Sequence, residues 1–207
     1  MVCDRPFNKG EDYCRNWLCQ KSAERWFLWN YAVALREGPL ERALSRYKFE
    51  GKTGWATIFA RILVGALEAE AGFRGFNRIL ASPTFATPAR FDHTRLVIDE
   101  AVRVAPPASR WPFELDVEPT VIKTKETPQL SRIRGLGNRI AAAQGPLRES
   151  LLVRHPERIR AQQVLVYDDT FTDGSTLNEV ARALRIQGGA ETVCGITLCR
   201  QPWMRPP

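Results

Sequence analysis

Val164-Leu-Val-Tyr-Asp-Asp-Thr-Phe-Thr-Asp-Gly-Ser-Thr176 is the stretch on which the reading of this chain turns. Val164 to Tyr167 is an unbroken apolar run with β-branched residues, the pattern of a parallel strand covered on both faces. Asp168 and Asp169 follow at once, then a loop rich in hydroxyls. Beyond it Leu177, Val180, Ala181 and Leu184 recur at helical spacing, Gly188-Gly189 closes the helix, and a second strand starts near Thr192. In such a strand, helix, strand unit the ligand crevice lies beyond the carboxyl end of the first strand.

The loop composition suits a phosphate. Gly174 would let backbone approach closely, the hydroxyls of Thr172, Ser175 and Thr176 can donate, and a helix N-terminus offers unpaired amides. Two carboxylates beside such a site make sense if they accept hydrogen bonds from ribose hydroxyls or hold Mg²⁺ through water, with the phosphate lying further into the loop. An ordinary helix cap would account for one hydroxyl and leave the rest without a purpose. The residues therefore point to a phosphorylated ribose.

The chain has 207 residues, a hydrophobic fraction of 44% and a charged fraction of 26%, values of a globular protein with one main domain. We expect a cysteine-rich element over 1–25, the main domain over 26–200 and a frayed tail over 201–207. The formal charge of +7 is spread along the chain. A nucleic-acid partner is thus open but not favoured over a basic pocket for small phosphorylated molecules. No apolar run approaches the roughly 20 residues of a membrane helix, and no secretory layout opens the chain, so a cytoplasmic protein with no membrane partner is expected. Whether it forms a homo-oligomer is open.

Five cysteines make an odd set, which argues against a disulfide framework. Cys3, Cys14 and Cys19 are close-spaced thiols expected to bind a structural Zn²⁺. Cys194 and Cys199 sit in an apolar strand, where cysteine acts as a small hydrophobe. Trp26, Phe27, Trp29 and Tyr31 read as packing rather than a base-stacking platform. Trp55 to Glu70 is a buried helix, Ile79 to Ser82 a buried strand ending at Pro83, and Leu96 to Val104 a further helix. Residues 105–120, with Pro106, Pro107, Pro112 and Pro119, read as a surface loop. Lys123 to Arg139 is basic and glycine-containing, a solvated loop or a mobile lid.

At Val164–Thr176 the chain resembles the type I phosphoribosyltransferases, marked by a hydrophobic strand, two acidic residues and a Thr- and Gly-rich loop. Within them it resembles the ComF-like branch, in which a zinc knuckle precedes the transferase domain. Further matches are Tyr47-Lys-Phe-Glu-Gly-Lys52, Ile79-Leu-Ala-Ser-Pro83, and Lys123-Thr-Lys-Glu-Thr-Pro-Gln129 with Asn138. The resemblance implies an α/β fold with a parallel sheet flanked by helices, and a small N-terminal cysteine-rich element. It also implies that Ser82-Pro83-Thr84 lies near the pyrophosphate and that Lys123 to Gln129 closes as a hood. Arg90-Phe-Asp-His93 stands where the family often has Arg-Gly-Phe-Asn, so His93 is read as a structural hydrogen-bonder. Arg74-Gly-Phe-Asn77 is read as coincidental. Thr172 stands where purine-using relatives carry an acidic residue.

The implied chemistry is displacement of pyrophosphate from phosphoribosyl pyrophosphate by an unknown acceptor. Mg²⁺, Lys123 and Lys125 would neutralise the leaving group, while Asp168 and Asp169 fix the ribose. Thr170 and Asp173 complete the substrate loop. Two other classes stay open: a module that senses phosphoribosyl pyrophosphate or a nucleotide without turnover, and an accessory protein in DNA uptake.

Overall fold

In the computed structural model, residues 2–3, 14, 16–87 and 90–202 are described. The strands are β1 (Asn30–Leu35), β2 (Arg78–Ala81), β3 (Val121–Lys123), β4 (Leu151–Val153), β5 (Gln163–Phe171) and β6 (Thr192–Arg200). The helices are α1 (Trp17–Gln20), α2 (Gly38–Glu50), α3 (Trp55–Ala69), α4 (His93–Val104), α5 (Leu136–Ala142), α6 (Arg148–Ser150) and α7 (Ser175–Ile186). Between α5 and α6 the chain runs through a π-type turn, Ala143–Leu147, that contains Pro146. A proline supplies no amide, and a widened turn accommodates the missing bond.

A parallel four-stranded sheet in the order β1-β6-β5-β2 forms the centre. Side chains alternate across β5: Leu165 and Tyr167 enter a core with α2, α3 and α4, and Val164 and Val166 enter a second core with α7. Burial on both faces is why this strand is apolar without alternation. The expected buried helix is α3, the later helix is α4, and the β5-α7-β6 unit is present as read. β5, however, continues through Asp168, Asp169 and Thr170 to Phe171, so both carboxylates stand on a strand and not in a loop.

Two readings are corrected and one element is added. Residues 105–120 are not simply a surface loop. Pro112 O accepts the Ile79 amide (2.8 Å), the Glu114 amide reaches Ile79 O (3.0 Å), and Trp111 and Phe113 are buried in the core. The segment thus covers the outer edge of β2, which would otherwise present unpaired backbone groups. The helix α2 was not anticipated; its buried stripe is only Ala43, Leu44 and Tyr47, with a proline in its first turn. The tail does not fray from its first residue either, since Gln201 N donates to Phe171 O (2.8 Å); residues 203–207 lie outside the described residues.

The aromatic cluster near the start is packing, as read. Trp29 and Tyr31 lie against Phe73 at 5.8 and 5.5 Å between ring centres, and Phe27 meets Phe171 edge-on. Arg148 grips the buried Glu179 with two nitrogens (2.7 and 2.9 Å), tying α6 to α7. No helix among the described residues is long and apolar enough to cross a membrane.

Candidate functional site

At the carboxyl ends of the parallel strands lies a cleft of about 630 Å³. Ser82, Pro83 and Thr84, which follow β2, line it together with Asp168 through Thr176 and Lys123. These expected site residues come together although Ser82 and Asp168 are far apart in sequence, because β2 pairs with β5 and ends with Ala81 opposite Tyr167, so that Ser82 leaves the strand beside the two carboxylates. Thr94 Oγ1 donates to Ser82 O (2.7 Å), so the head of α4 fixes the turn after β2. Lys125 is not in the lining; it pairs with Glu149 (3.0 Å), half-exposed. Asn138 bonds Arg134 O on the surface. A hollow of about 760 Å³ at the α2–α3 turn opens flat to solvent beside Lys52 and Trp55 and holds no comparable cluster of carboxylates and hydroxyls.

The two carboxylates are not equivalent. Asp169 is buried, and its Oδ1 receives Lys48 Nζ (2.9 Å) and lies 3.3 Å from His93 Nε2. Its Oδ2 receives the same ammonium (3.0 Å) and the Thr170 hydroxyl (2.7 Å). Burial alone would raise this carboxyl, but Lys48, His93 and Thr170 hold it well below the usual range. Asp168 has no ion pair among the described residues; its Oδ1 accepts the Asp169 amide (2.8 Å). Burial, then the neighbouring Asp169 charge, pushes it up to about 7 against the pull of Lys48.

Lys48 was not singled out as a site residue, although it lies inside the matched stretch Tyr47–Lys52. His93 behaves as the hydrogen-bonder expected of it: its ring meets Asp169, and its carbonyl accepts the Tyr47 hydroxyl (2.6 Å). Arg74, by contrast, stacks over Trp111, 4.1 Å from the ring centre, and takes no part in the cleft.

The segment 123–139 forms one wall. Lys123 lies at its start, lowered by burial with Glu126 and Asp168 pulling the other way. Arg132 sits over Phe49, and Arg139 Nε pairs with Asp173 Oδ2 (2.7 Å). Three buried hydroxyls of the cleft, on Thr84, Thr127 and Ser175, have no hydrogen-bond partner among the described residues.

Gly174 lines the cleft and also serves the packing of the turn. Its φ of +88° lies in the left-handed region, and a Cβ there would meet Phe171 at 2.8 Å and Leu18 at 3.0 Å. The missing side chain therefore makes room for Phe171 and Leu18 to pack against the turn.

Part of that packing, Leu18, comes from the N-terminal element. Asn16 caps α1 by accepting the Leu18 amide (2.9 Å) and donates its own amide to Asp173 O (3.0 Å). Asn178 accepts from Trp26 N and donates to Glu24 O. Cys3, Cys14 and Cys19 place their sulfurs within 4.8 Å of one another, positioned to bind a metal ion. Soft thiolates at this separation suit zinc. Burial raises the Cys14 thiol, yet the Asn16 amide, the Cys3 and Cys19 thiols and Arg200 together leave it lowered. Arg200 is buried; it donates to Cys3 O and lies 5.6 Å from the Phe171 ring centre.

No protein-family model matches this chain, and no curated protein is significantly similar to it.

Proposed function

We propose that the chain is a ComF-like member of the type I phosphoribosyltransferases, a pentosyltransferase that binds phosphoribosyl pyrophosphate and displaces pyrophosphate with an acceptor not yet known. The observation that carries this reading is the convergence, in one cleft at the ends of parallel strands, of a carboxylate without an ion pair (Asp168), the head of α7 and three buried hydroxyls, all without such partners among the described residues. Buried polar groups normally find partners, and a phosphorylated sugar offers acceptors for these amides and hydroxyls and hydroxyl donors for the carboxylate.

On this reading Asp168 holds the ribose hydroxyls and Asp169 is a positioning group, its oxygens engaged by Lys48, His93 and Thr170. The amides of Ser175 and Thr176 and the Ser175 and Thr176 hydroxyls receive the 5′-phosphate, with Thr172 beside them. Lys123, Ser82 and Thr84 face the pyrophosphate, and the wall 123–139 excludes water from the anomeric carbon. A hard carboxylate oxygen suits Mg²⁺, which Asp168 would hold and which, when bound, neutralises charge on the leaving group. In the same reading the cysteine cluster holds a structural Zn²⁺. Binding without turnover is the second reading, favoured by the full engagement of Asp169 and by Thr172, which cannot serve as a base.

The test is calorimetric titration of phosphoribosyl pyrophosphate with Mg²⁺, followed by pyrophosphate release with ammonia, water and nitrogen bases as acceptors. With Asp168 near 7, its ionised fraction rises about tenfold from pH 6 to pH 8, and affinity should rise with it. Asp168→Asn should bind more weakly and lose the pH slope. A parent that does not bind removes both readings; tight binding with no release from any acceptor leaves the sensing module.

A further inference from the structure

Asp173 lies in the turn between β5 and α7, its side chain 10% exposed. The first amides of an α-helix have no acceptor within the helix and carry partial positive charge. The head of α7 is accordingly where an anion gains most, and a carboxylate of the chain itself already stands there. Asp173 Oδ1 accepts the Ser175 amide (3.0 Å), and Oδ2 pairs with Arg139 Nε (2.7 Å). Beside it Ser175 Oγ is buried with no partner among the described residues. The backbone of the turn is held from behind, with Asn16 on Asp173 O. The carboxylate can therefore leave by rotation of its side chain while the backbone stays in place. Arg139 belongs to α5 at the end of the cleft wall, and its Nη1 also reaches Ile133 O (3.3 Å).

We propose that Asp173 is a resident anion: its carboxylate holds the position at the head of α7 that a ligand phosphomonoester would take, with Arg139 as its counter-charge. This rests on the reading of the cleft as a phosphate site and adds a determinant of ligand choice to it. A phosphorylated ligand must displace the carboxylate and take over both the Ser175 amide and Arg139. An uncharged sugar need not. Affinity for phosphate is thus set by a competition inside the protein, and because Arg139 is part of the wall, the exchange also moves the wall's anchor from protein to ligand.

The experiment compares the parent with Asp173→Asn and Arg139→Gln, titrated at constant ionic strength with inorganic phosphate, ribose 5-phosphate, phosphoribosyl pyrophosphate and ribose. Asparagine keeps an oxygen for the Ser175 amide and removes the charge, so Asp173→Asn should bind the three phosphate probes on the order of tenfold tighter and ribose unchanged. Arg139→Gln should bind the phosphate probes more weakly. Should the asparagine variant melt early, Asp173→Ser retains a capping oxygen and serves in its place. Phosphate affinity equal to or below that of the parent in the Asp173 variants overturns the proposal and leaves Asp173 as a helix cap; the functional reading survives if the parent binds phosphoribosyl pyrophosphate. Absence of binding by the parent and by every variant overturns both together.

Discussion

Replacing Lys48 by methionine removes the ammonium that both oxygens of Asp169 share, and leaves a carboxylate whose side chain is 7% exposed. Losing one partner of a fully buried ion pair costs about 3–5 kcal/mol, because the other charge stays behind without compensation. Here the Lys48 side chain is 27% exposed, and His93 remains beside Asp169. A smaller loss of about 2–3 kcal/mol is expected, or roughly 4–12 °C in melting temperature for a chain of this size. The loss has a defined pH dependence. Asp169 lies below its ordinary value of 3.8 in the fold, so its stabilising contribution is fully present above that value and is lost only as pH falls toward the folded one. In the variant, burial is no longer opposed by Lys48, and the carboxyl takes up a proton at higher pH. The gap between parent and variant should accordingly be full at pH 8 and narrow as pH falls toward 4. Thermal melts of both proteins across that range provide the measurement. An equal melting point at pH 8, or a gap of constant size at every pH, would refute the assignment of Lys48 as the counter-charge of Asp169.

Two further outcomes are expected. Gly174→Ala should cost about 1–3 kcal/mol in urea unfolding, since it strains a left-handed residue and drives a methyl into Phe171 and Leu18; an unchanged midpoint would show that the loop yields easily. The purified protein should carry zinc, and Cys14→Ser should lose it together with several degrees of melting temperature; a metal-free parent with the melting point of the variant would count against the cluster as a metal centre.

The central unit was legible in the sequence because its signals are local. An apolar run without alternation, a hydroxyl-rich turn and an amphipathic helix each announce themselves within a dozen residues, and β5, α7 and β6 follow from them. The helix α2 was illegible for the opposite reason. Its core-facing stripe, Ala43, Leu44 and Tyr47, is short, and its other positions are mostly charged or small, so the periodicity never rises above the background. Residues 105–120 misled in another way: proline density signals irregular backbone, and the backbone is irregular, yet such a segment can still lie on a sheet edge with its aromatic side chains buried.

For the site, residue types were readable and pairings were not. That two acidic residues end β5 is visible in the sequence. Which of them is left unpaired depends on Lys48 arriving from α2 and His93 from α4, 121 and 76 residues away along the chain. Gly174 shows the same limit in part, since its missing side chain makes room not only for the neighbouring Phe171 but for Leu18, which belongs to the N-terminal element. That element and the loop are therefore one mechanical unit. Asn16 holds the backbone of Asp173, Leu18 packs on Gly174, and Arg200 bridges Cys3 and Phe171. Whatever fixes the three thiols also fixes the back of the turn that precedes α7, which gives a small cysteine element, remote from the cleft in sequence, a physical part in shaping it.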